Sequence, residues 1–235
     1  MIYTIGNQNI VISKDETQKD KGTPRQIVPW RDVAETCKTL DAVCTKIKPE
    51  KPLHIVDGIA RAGFWGAVFR NRWPDCSLHL NEEDETCTGV LKRNFPDDVI
   101  TNHNIHKWAP KQCDLALLDF DRFTLRILDK WRDVLIEWEK TCKYFIIADG
   151  ACFGFKFGNM KHYGITDELE YYYLLDKTLA EFLNKRITVV SKFTNAATIL
   201  LEQVETPPEE IEFVQPSANL ILHRRDGLIK MQPLF

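Results

Sequence analysis

Residues 53–66 combine an apolar strand, a carboxylate at its end and a turn of small residues. The segment reads LHIVDGIARAGFWG, in which Asp57 closes the strand and Gly63 precedes an aromatic helix start. Small residues let a ligand approach the backbone, and the N–H groups that begin the next helix face such a ligand. The segment therefore predicts a ligand cradle. The alternative is a turn that only packs the helix against the strand.

The cradle differs from that of a dinucleotide-binding protein. Ile59 and Arg61 stand where the three-glycine fingerprint would leave room for a pyrophosphate against bare backbone. The fingerprint is absent, and this disfavours a nicotinamide-dependent oxidoreductase.

A second polar group follows the strand predicted at 77–80. Asn81 and Glu82 come directly after it, at the start of the run NEED. A carboxylate at a strand end can accept hydrogen bonds from both hydroxyls of a ribose. The same acidic run could instead complement the positive end of the helix predicted from Glu85.

Two histidines, His103 and His106, are spaced three residues apart. No carboxylate or cysteine nearby in the sequence completes a set of metal ligands with them. We therefore expect no metal site.

These groups need a frame that brings the strand ends together, and the chain alternates between apolar strands and amphipathic helices. Continuous apolar strands are typical of parallel sheets, whose crossovers are right-handed. The last two strands, 187–193 and 197–202, are joined too tightly for a crossover and must form a hairpin. The predicted fold is α/β, a doubly wound, mostly parallel seven-stranded sheet with a C-terminal antiparallel hairpin. The other predicted elements are helices at 30–48, 66–72, 85–94, 124–140 and 167–185 and strands at 53–57, 77–80, 99–105, 114–118 and 144–148.

This frame divides the chain into three parts. Residues 1–28 form a small hairpin and a polar connector, residues 29–204 form the main domain, and residues 205–235 form a Pro-interrupted tail on the surface.

Composition limits the class of protein. The chain has 235 residues, 44% hydrophobic and 28% charged, which suits one globular domain. A net charge of −3 argues mildly against a protein that binds DNA along its whole surface. The seven cysteines include no Cys-x-x-Cys pair, which fits free thiols in a reducing compartment. Without a signal peptide or an apolar run of membrane-spanning length, we expect a soluble, cytoplasmic protein.

The pattern Asp57-x-x-Ala60-x-x-Gly63-aromatic-Trp65 resembles motif I of class I S-adenosylmethionine-dependent methyltransferases. A doubly wound sheet that ends in an antiparallel hairpin is also the architecture of that family, and the resemblance covers about residues 30–204. It implies S-adenosylmethionine as the cofactor. The cofactor-binding residues that it implies are Asp57, Gly58, Ala60, Gly63, Asn81, Glu82, Asn104 and Asp119.

Two further details of the resemblance concern the adenine site and the kind of methyltransferase. The adenine edge would meet Asn104 or His106 after the third strand, where the family often has Asp. The pair Asn81-Glu82, followed by a helix that ends in Lys-x-Asn, is similar to several RNA-modifying methyltransferases.

The family places its catalytic residues after the fourth strand. Here Asp119 could orient an acceptor, Asp121 could be a general base and Phe123 could stack on a base, although the Pro-Pro of amino methyltransferases is absent. Asp121 could equally cap the following helix. The lysine tetrad of RNA 2′-O-methyltransferases is disfavoured by Ala148-Asp149, although Lys156 could be supplied from the next loop.

That loop, residues 150–163, alternates aromatic and cationic side chains on glycines. Such a segment suits a flat or anionic acceptor, including an unpaired base. The alternative is a lid that packs its phenylalanines inward.

The sequence thus predicts a methyltransferase that acts on a nucleic acid base, in RNA or DNA, or on another amine. A small-molecule acceptor and a catalytically inactive binding or regulatory protein of the same fold are the alternatives. The oligomeric state is left open.

Overall fold

A computed structural model describes residues 1–13, 16, 30–120, 124–149, 164–165, 167–193, 196–206 and 210–225. Three predicted catalytic residues, Asp121, Phe123 and Lys156, lie outside these ranges, as does the loop 150–163.

The helices are α1 (Trp30–Cys44), α2 (Phe64–Arg72), α3 (Glu85–Asn94), α4 (Thr124–Glu139) and α5 (Glu168–Leu179). The strands are β1 (Ile2–Ile5), β2 (Gln8–Val11), β3 (His54–Asp57), β4 (Ser77–Asn81), β5 (Val99–Thr101), β6 (Cys113–Asp119), β7 (Cys142–Asp149), β8 (Lys185–Lys192), β9 (Ala197–Gln203), β10 (Glu212–Val214) and β11 (Leu222–Arg225).

The main sheet has the order β10-β8-β9-β7-β6-β3-β4-β5. Strands β3 to β7 pair in parallel, and β9 runs antiparallel to both β7 and β8. The predicted α/β fold with a mostly parallel sheet and a terminal antiparallel hairpin is therefore confirmed. The sheet has one more strand than predicted, because β10 pairs in parallel with the outer edge of β8.

Helices cover both faces of this sheet. On one face, α1, α2 and α3 bury the apolar side chains of the parallel strands together with the N-terminal hairpin. On the other face, α4 and α5 bury a second cluster around Trp138 and Phe145. The inner strands β6, β7 and β9 are largely buried, which explains why they read as continuous apolar runs.

A small second sheet has the order β11-β1-β2. The β1–β2 hairpin is anchored to α3 by Asn94, whose side-chain oxygen accepts from the Val11 N–H at 3.1 Å. Strand β11 lies in the segment predicted as a surface tail, and it pairs antiparallel with β1. The two ends of the described chain therefore meet in one sheet, while the proposed boundaries at 28 and 204 stay predictions.

Several elements end earlier than their apolar pattern suggests. Strand β5 stops at Thr101 and not at Ile105, because the N–H of His103 turns to the side chain of Asn81 at 2.9 Å. Helix α5 ends at Leu179, and Lys185 already belongs to β8. Within the described ranges, no helix is long and apolar enough to cross a bilayer.

Two glycines provide a matched test of the fold. Gly63, which precedes α2, has φ +92°, and a Cβ there would lie 2.2 Å from the ring of Phe95. Gly89 in α3 has no atom within 4 Å of such a Cβ. We expect Gly63→Ala to lower the free energy of unfolding by about 1–3 kcal/mol. Gly89→Ala should raise it by about 0.5–1 kcal/mol through helix propensity.

Urea denaturation of the two variants beside the unsubstituted protein measures both effects. Equal free energies of unfolding for the two variants would contradict the left-handed turn at Gly63.

Candidate functional site

A cavity of about 370 Å³ opens at the carboxyl ends of β3, β4 and β6. This is the edge at which doubly wound sheets bind their ligands, and the volume suits a small molecule. The loop after β5 and one side chain of α4 complete the wall. The lining residues are Gly58, Ile59, Arg61, Asn81, Glu82, Glu83, His103, Ile105, His106, Asp119, Phe120 and Trp131.

The turn after β3 is held close to the neighbouring strands by its backbone. The Gly58 N–H donates to the Leu117 carbonyl at 3.0 Å, and the Ala60 N–H donates to the Asn81 carbonyl at 2.9 Å. A Cβ at Gly58 would lie 2.5 Å from the Trp138 ring and 2.6 Å from Leu118. Position 58 is therefore restricted to glycine by packing.

Arg61 occupies the left-handed region, with φ +50°. Its N–H donates to the Glu82 Oε2 atom at 2.8 Å. Non-glycine residues seldom adopt this conformation, and here the Glu82 carboxylate helps to hold it.

Glu82 is buried at the cavity wall, at 9% exposure. Its Oε2 accepts from Arg61, and its Oε1 accepts from the Asp84 N–H at 3.0 Å. Since a carboxylate oxygen can accept more than one hydrogen bond, both oxygens retain capacity toward the cavity. The backbone donors fix the carboxylate in place.

Asn81 connects two walls of the cavity through the hydrogen bonds of its side chain. Its side-chain N–H groups donate to the carbonyls of Gly58 and His103, at 3.1 and 3.0 Å. Its side-chain oxygen accepts from the Thr101 hydroxyl and the His103 N–H, both at 2.9 Å. The amide thus uses two donors and two lone pairs within the protein, which gives it a positioning role.

Asp119 ends β6 at the cavity and is 5% exposed. Its Oδ2 accepts a hydrogen bond from Trp65 Nε1 at 3.2 Å and lies 3.8 Å from Arg61 Nε. Trp65 is itself buried in the core. A core side chain therefore orients a carboxylate of the site.

Asp57 lies fully buried under the turn, with no solvent exposure. Its Oδ1 accepts from the Ile59 N–H at 3.2 Å, while Oδ2 has no hydrogen-bond partner among the described residues. Burial, reinforced by the nearby Asp119 and Glu82 carboxylates, raises the pKa of Asp57 well above its ordinary value. The raised pKa extends the pH range over which the Asp57 carboxyl is protonated, and a protonated carboxyl can donate as well as accept a hydrogen bond.

Aromatic rings form another part of the cavity lining. His103 stacks on Trp108 with ring centroids 5.2 Å apart, and Trp131 contacts both His106 at 4.6 Å and Phe120 at 4.7 Å. The cavity lining therefore combines the carboxylates that follow or end β4 and β6 with flat, partly apolar surfaces.

The predicted cofactor residues divide into two groups. Gly58, Asn81, Glu82 and Asp119 line the cavity. The four that do not line it are Asp57, Ala60, Gly63 and Asn104. Asn104 instead donates to the Glu83 carboxylate at 2.9 Å and accepts from the His106 N–H. All eight remain predictions as cofactor ligands.

Sequence reasoning missed part of the wall. Trp131 lies at an apolar position of helical spacing in α4, and it borders the cavity beside Phe120. A stripe of helical spacing carries no signal that separates a core position from a cavity position. Across the described ranges, no cluster of three or more His, Cys, Asp or Glu could hold a metal ion.

Comparison with known proteins identifies the fold. No protein-family model matches the chain, and no curated protein is significantly similar to it in sequence. Among solved structures, a candidate RNA methyltransferase from Pyrococcus horikoshii matches with a TM-score of 0.53 and 11% identity, over 83% of this chain and 90% of that one. The chain has the class I methyltransferase fold.

Two further solved structures share this fold. Fibrillarin in the fibrillarin/Nop5p complex matches with a TM-score of 0.52 and 13% identity, over 86% of this chain and 97% of that one. The plantazolicin methyltransferase BpumL, solved with S-adenosylhomocysteine (SAH), matches with a TM-score of 0.52 and 9% identity, over 73% of this chain and 84% of that one. At these identities the likeness concerns the fold, and the predicted methyltransferase architecture is confirmed.

The buried carboxyl of Asp57 predicts a pH-dependent stability. Its pKa is raised in the folded protein, so the stability linked to its proton is present below about pH 4 and is lost as pH rises through the folded-state pKa. Asp57→Asn removes this titration. From about pH 5 to about pH 8, we expect the free energy of unfolding of the variant to rise relative to that of the unsubstituted protein. The rise should be about 1.4 kcal/mol for each pH unit of this interval that lies below the folded-state pKa of Asp57.

Urea denaturation of both proteins at the two pH values gives the difference directly, and contributions from all other groups cancel. A difference that does not change with pH would contradict a raised pKa at Asp57.

Proposed function

We propose that this protein is an S-adenosylmethionine-dependent methyltransferase whose cofactor occupies the cavity above β3, β4 and β6. The observation that carries the proposal is the Glu82 carboxylate, fixed by two backbone N–H groups at the end of β4 and directed at a cavity of small-molecule size. The fold and the solved structures that share it support the choice of cofactor.

The residues present fit such a cofactor. Both oxygens of Glu82 can accept from the vicinal hydroxyls of a ribose. Ile105, His103 and Phe120 offer flat or apolar surface to a purine. The Asp57 Oδ2 atom, which has no hydrogen-bond partner among the described residues, lies beneath the turn that would face the amino-acid part.

Bound S-adenosylmethionine supplies a methyl group on a sulfonium. The chain's own residues hold the two reactants in place. The β3 turn and Glu82 hold the nucleoside, and a carboxylate oxygen of Asp119 accepts a hydrogen bond from the amine that is to be methylated. Because Asp119 already accepts from Trp65 and pairs with Arg61, it is suited to orient the nucleophile. Holding two reactants in line contributes a large share of the rate in reactions of this kind. Asp121, Phe123 and Lys156 stay predictions as catalytic residues.

For the acceptor we propose a nucleic acid base or another amine. The Asn81-Glu82 signature and the aromatic, cationic composition of residues 150–163 favour this class. Trp131 and His106 add aromatic surface at the cavity mouth. The solved structures include a candidate RNA methyltransferase and a methyltransferase of the natural product plantazolicin, so a small molecule is the competing acceptor. A cytoplasmic location stays a prediction.

One observation favours a second candidate, a binding or regulatory protein that kept the fold without the reaction. Ile59 and Arg61 both line the cavity at positions where the family has small residues. Such side chains could reduce the space that the cradle leaves for a cofactor. A protein fold can be retained after its catalytic activity is lost.

Calorimetric titration with S-adenosylmethionine and SAH tests the cofactor site. We expect binding to the unsubstituted protein and a loss of at least about tenfold in Glu82→Gln, because the amide offers one acceptor where the carboxylate offers two. Glu85→Gln is the matched control, since Glu85 is exposed in the first turn of α3. Absence of binding by the unsubstituted protein would refute the proposal and support the second candidate.

Transfer of a labelled methyl group to total RNA, genomic DNA, protein extract and a small-molecule extract tests the acceptor. We expect label in a nucleic acid fraction. Label confined to the small-molecule fraction would overturn the proposed acceptor, and cofactor binding without transfer to any fraction would favour the non-catalytic protein.

A further inference from the structure

Two cysteines lie side by side at the end of the sheet opposite the cavity. Cys113 begins β6 and Cys142 begins β7, and the two are register partners in the parallel ladder. The candidate site uses the other end of β6, at Asp119, and neither cysteine lines its cavity. The two thiols therefore need an explanation of their own.

We propose that Cys113 and Cys142 form a redox-active dithiol, which a hydroperoxide converts into a disulfide and a thiol reductant restores. This inference is independent of the function proposed above. The disulfide would close the unit β6–α4–β7, of which β6 carries Asp119 and α4 carries Trp131 to the cavity lining.

The backbone places the two side chains within reach of each other. Neighbouring strands lie about 4.8 Å apart, and disulfides join residues whose Cα atoms are about 4.4–6.8 Å apart. Both side chains belong to the apolar cluster around Trp138, so they project from the same face of the sheet. The Cys113 N–H donates to the Thr141 carbonyl at 2.8 Å, which fixes the start of β6 against the start of β7. The bridge therefore requires no change of strand register.

A buried ion pair lies next to the thiols. Lys185 Nζ donates to the Glu139 carbonyl at 2.7 Å and lies 3.3 Å from Glu139 Oε1. Both side chains are buried. The positive charge of Lys185 acts to lower the pKa of both thiols, and a thiolate next to a cation is the reactive form of cysteine.

The surroundings of the two thiols differ. The Cys142 thiol has acceptors at the end of α4, the carbonyls of Trp138 at 3.5 Å and of Glu139 at 3.8 Å. Hydrogen bonding from Cys142 lowers the pKa of the Cys113 thiol against the effect of burial, whereas the same hydrogen bond and burial raise that of Cys142. Cys113 is therefore the thiol that reacts first, and Cys142 is the one that resolves the product.

The oxidation balances with hydrogen peroxide as the oxidant. The Cys113 thiolate attacks one peroxide oxygen, the O–O bond breaks, and a sulfenic acid and hydroxide form. The Cys142 sulfur then attacks the Cys113 sulfur, the S–S bond forms, and the sulfenic oxygen leaves as water. Two thiols and one peroxide thus give one disulfide and two water molecules. The two residues are 7% and 8% exposed, which leaves access for a small oxidant.

Peptide mapping of the full chain after treatment with hydrogen peroxide tests the proposal. Trypsin places the two cysteines in separate peptides, residues 112–122 and 141–143. After alkylation of the free thiols, we expect mass spectrometry to find these peptides joined, and dithiothreitol to separate them. Cys113→Ser and Cys142→Ser should each abolish the linked peptide. Cys87→Ser is the matched control, since Cys87 is a partly exposed cysteine of α3, and it should leave the linked peptide unchanged.

Neutralising the buried ion pair tests the activation of the thiols. Lys185→Met combined with Glu139→Gln removes both charges together, so that neither is left buried without its partner. We expect the rate of bridge formation at about pH 7 to fall by at least about threefold. Lys46→Met combined with Glu212→Gln removes an ion pair at the surface and is the matched control, with no change in rate.

The melting temperature shows whether the bridge fits the native strands. Closing a loop of about 30 residues should raise the Tm of the oxidised protein by roughly 4–10 °C. An unchanged or lower Tm would contradict a bridge between strands in their native register. Absence of the linked peptide, or linkage of either cysteine to a different thiol, would overturn the proposal. An unchanged rate after neutralisation of the ion pair would overturn the role of Lys185.

Discussion

The side-chain amide of Asn81 is the interaction on which the geometry of the site depends. It links the end of β4 to the turn after β3 through the Gly58 carbonyl, and to the loop after β5 through the backbone of His103. These hydrogen bonds end the β5 ladder early and turn His103 toward the cavity wall. Because the amide is buried and uses all four of its hydrogen-bonding positions, losing it would leave several buried polar groups without partners. The cradle, the Glu82 carboxylate and the aromatic wall share this one anchor.

The electrostatics of the site depends on which of its carboxyl groups are buried and which have hydrogen-bond or ion-pair partners. Asp57 lies beneath the turn with one oxygen unpartnered among the described residues, and burial raises its pKa. Asp119 is nearly as buried, yet it has Trp65 and Arg61 close by. The two carboxyl groups, at neighbouring strand ends, therefore differ in their described partners. A buried carboxyl with a raised pKa, such as that of Asp57, is frequent at functional sites.

The hydrophobic core holds the strand ends that carry the site in fixed positions. Helices on both faces bury the central strands, and bulky core residues such as Trp138 pack directly against Gly58. Strand ends in such a sheet are rigid, while the connecting turns carry the chemistry. The class I methyltransferase fold supplies the frame, and Ile59 and Arg61 contribute to the cavity lining after β3.

The sequence by itself determined the alternation of strands and helices, the terminal hairpin and the order of the strand ends that carry Gly58, Glu82 and Asp119. Those features depend on local periodicity and on connections too short to run otherwise, so they can be predicted from neighbouring residues. Only the tertiary structure decided that β10 extends the sheet, that β11 joins β1, that Trp131 borders the cavity and that Asn81 is fully engaged within the protein. These depend on contacts between residues far apart in the chain, such as Trp65 with Asp119 or Asn81 with His103. Their hydrogen bonds have no local pattern, because the partners meet only after the sheet has formed.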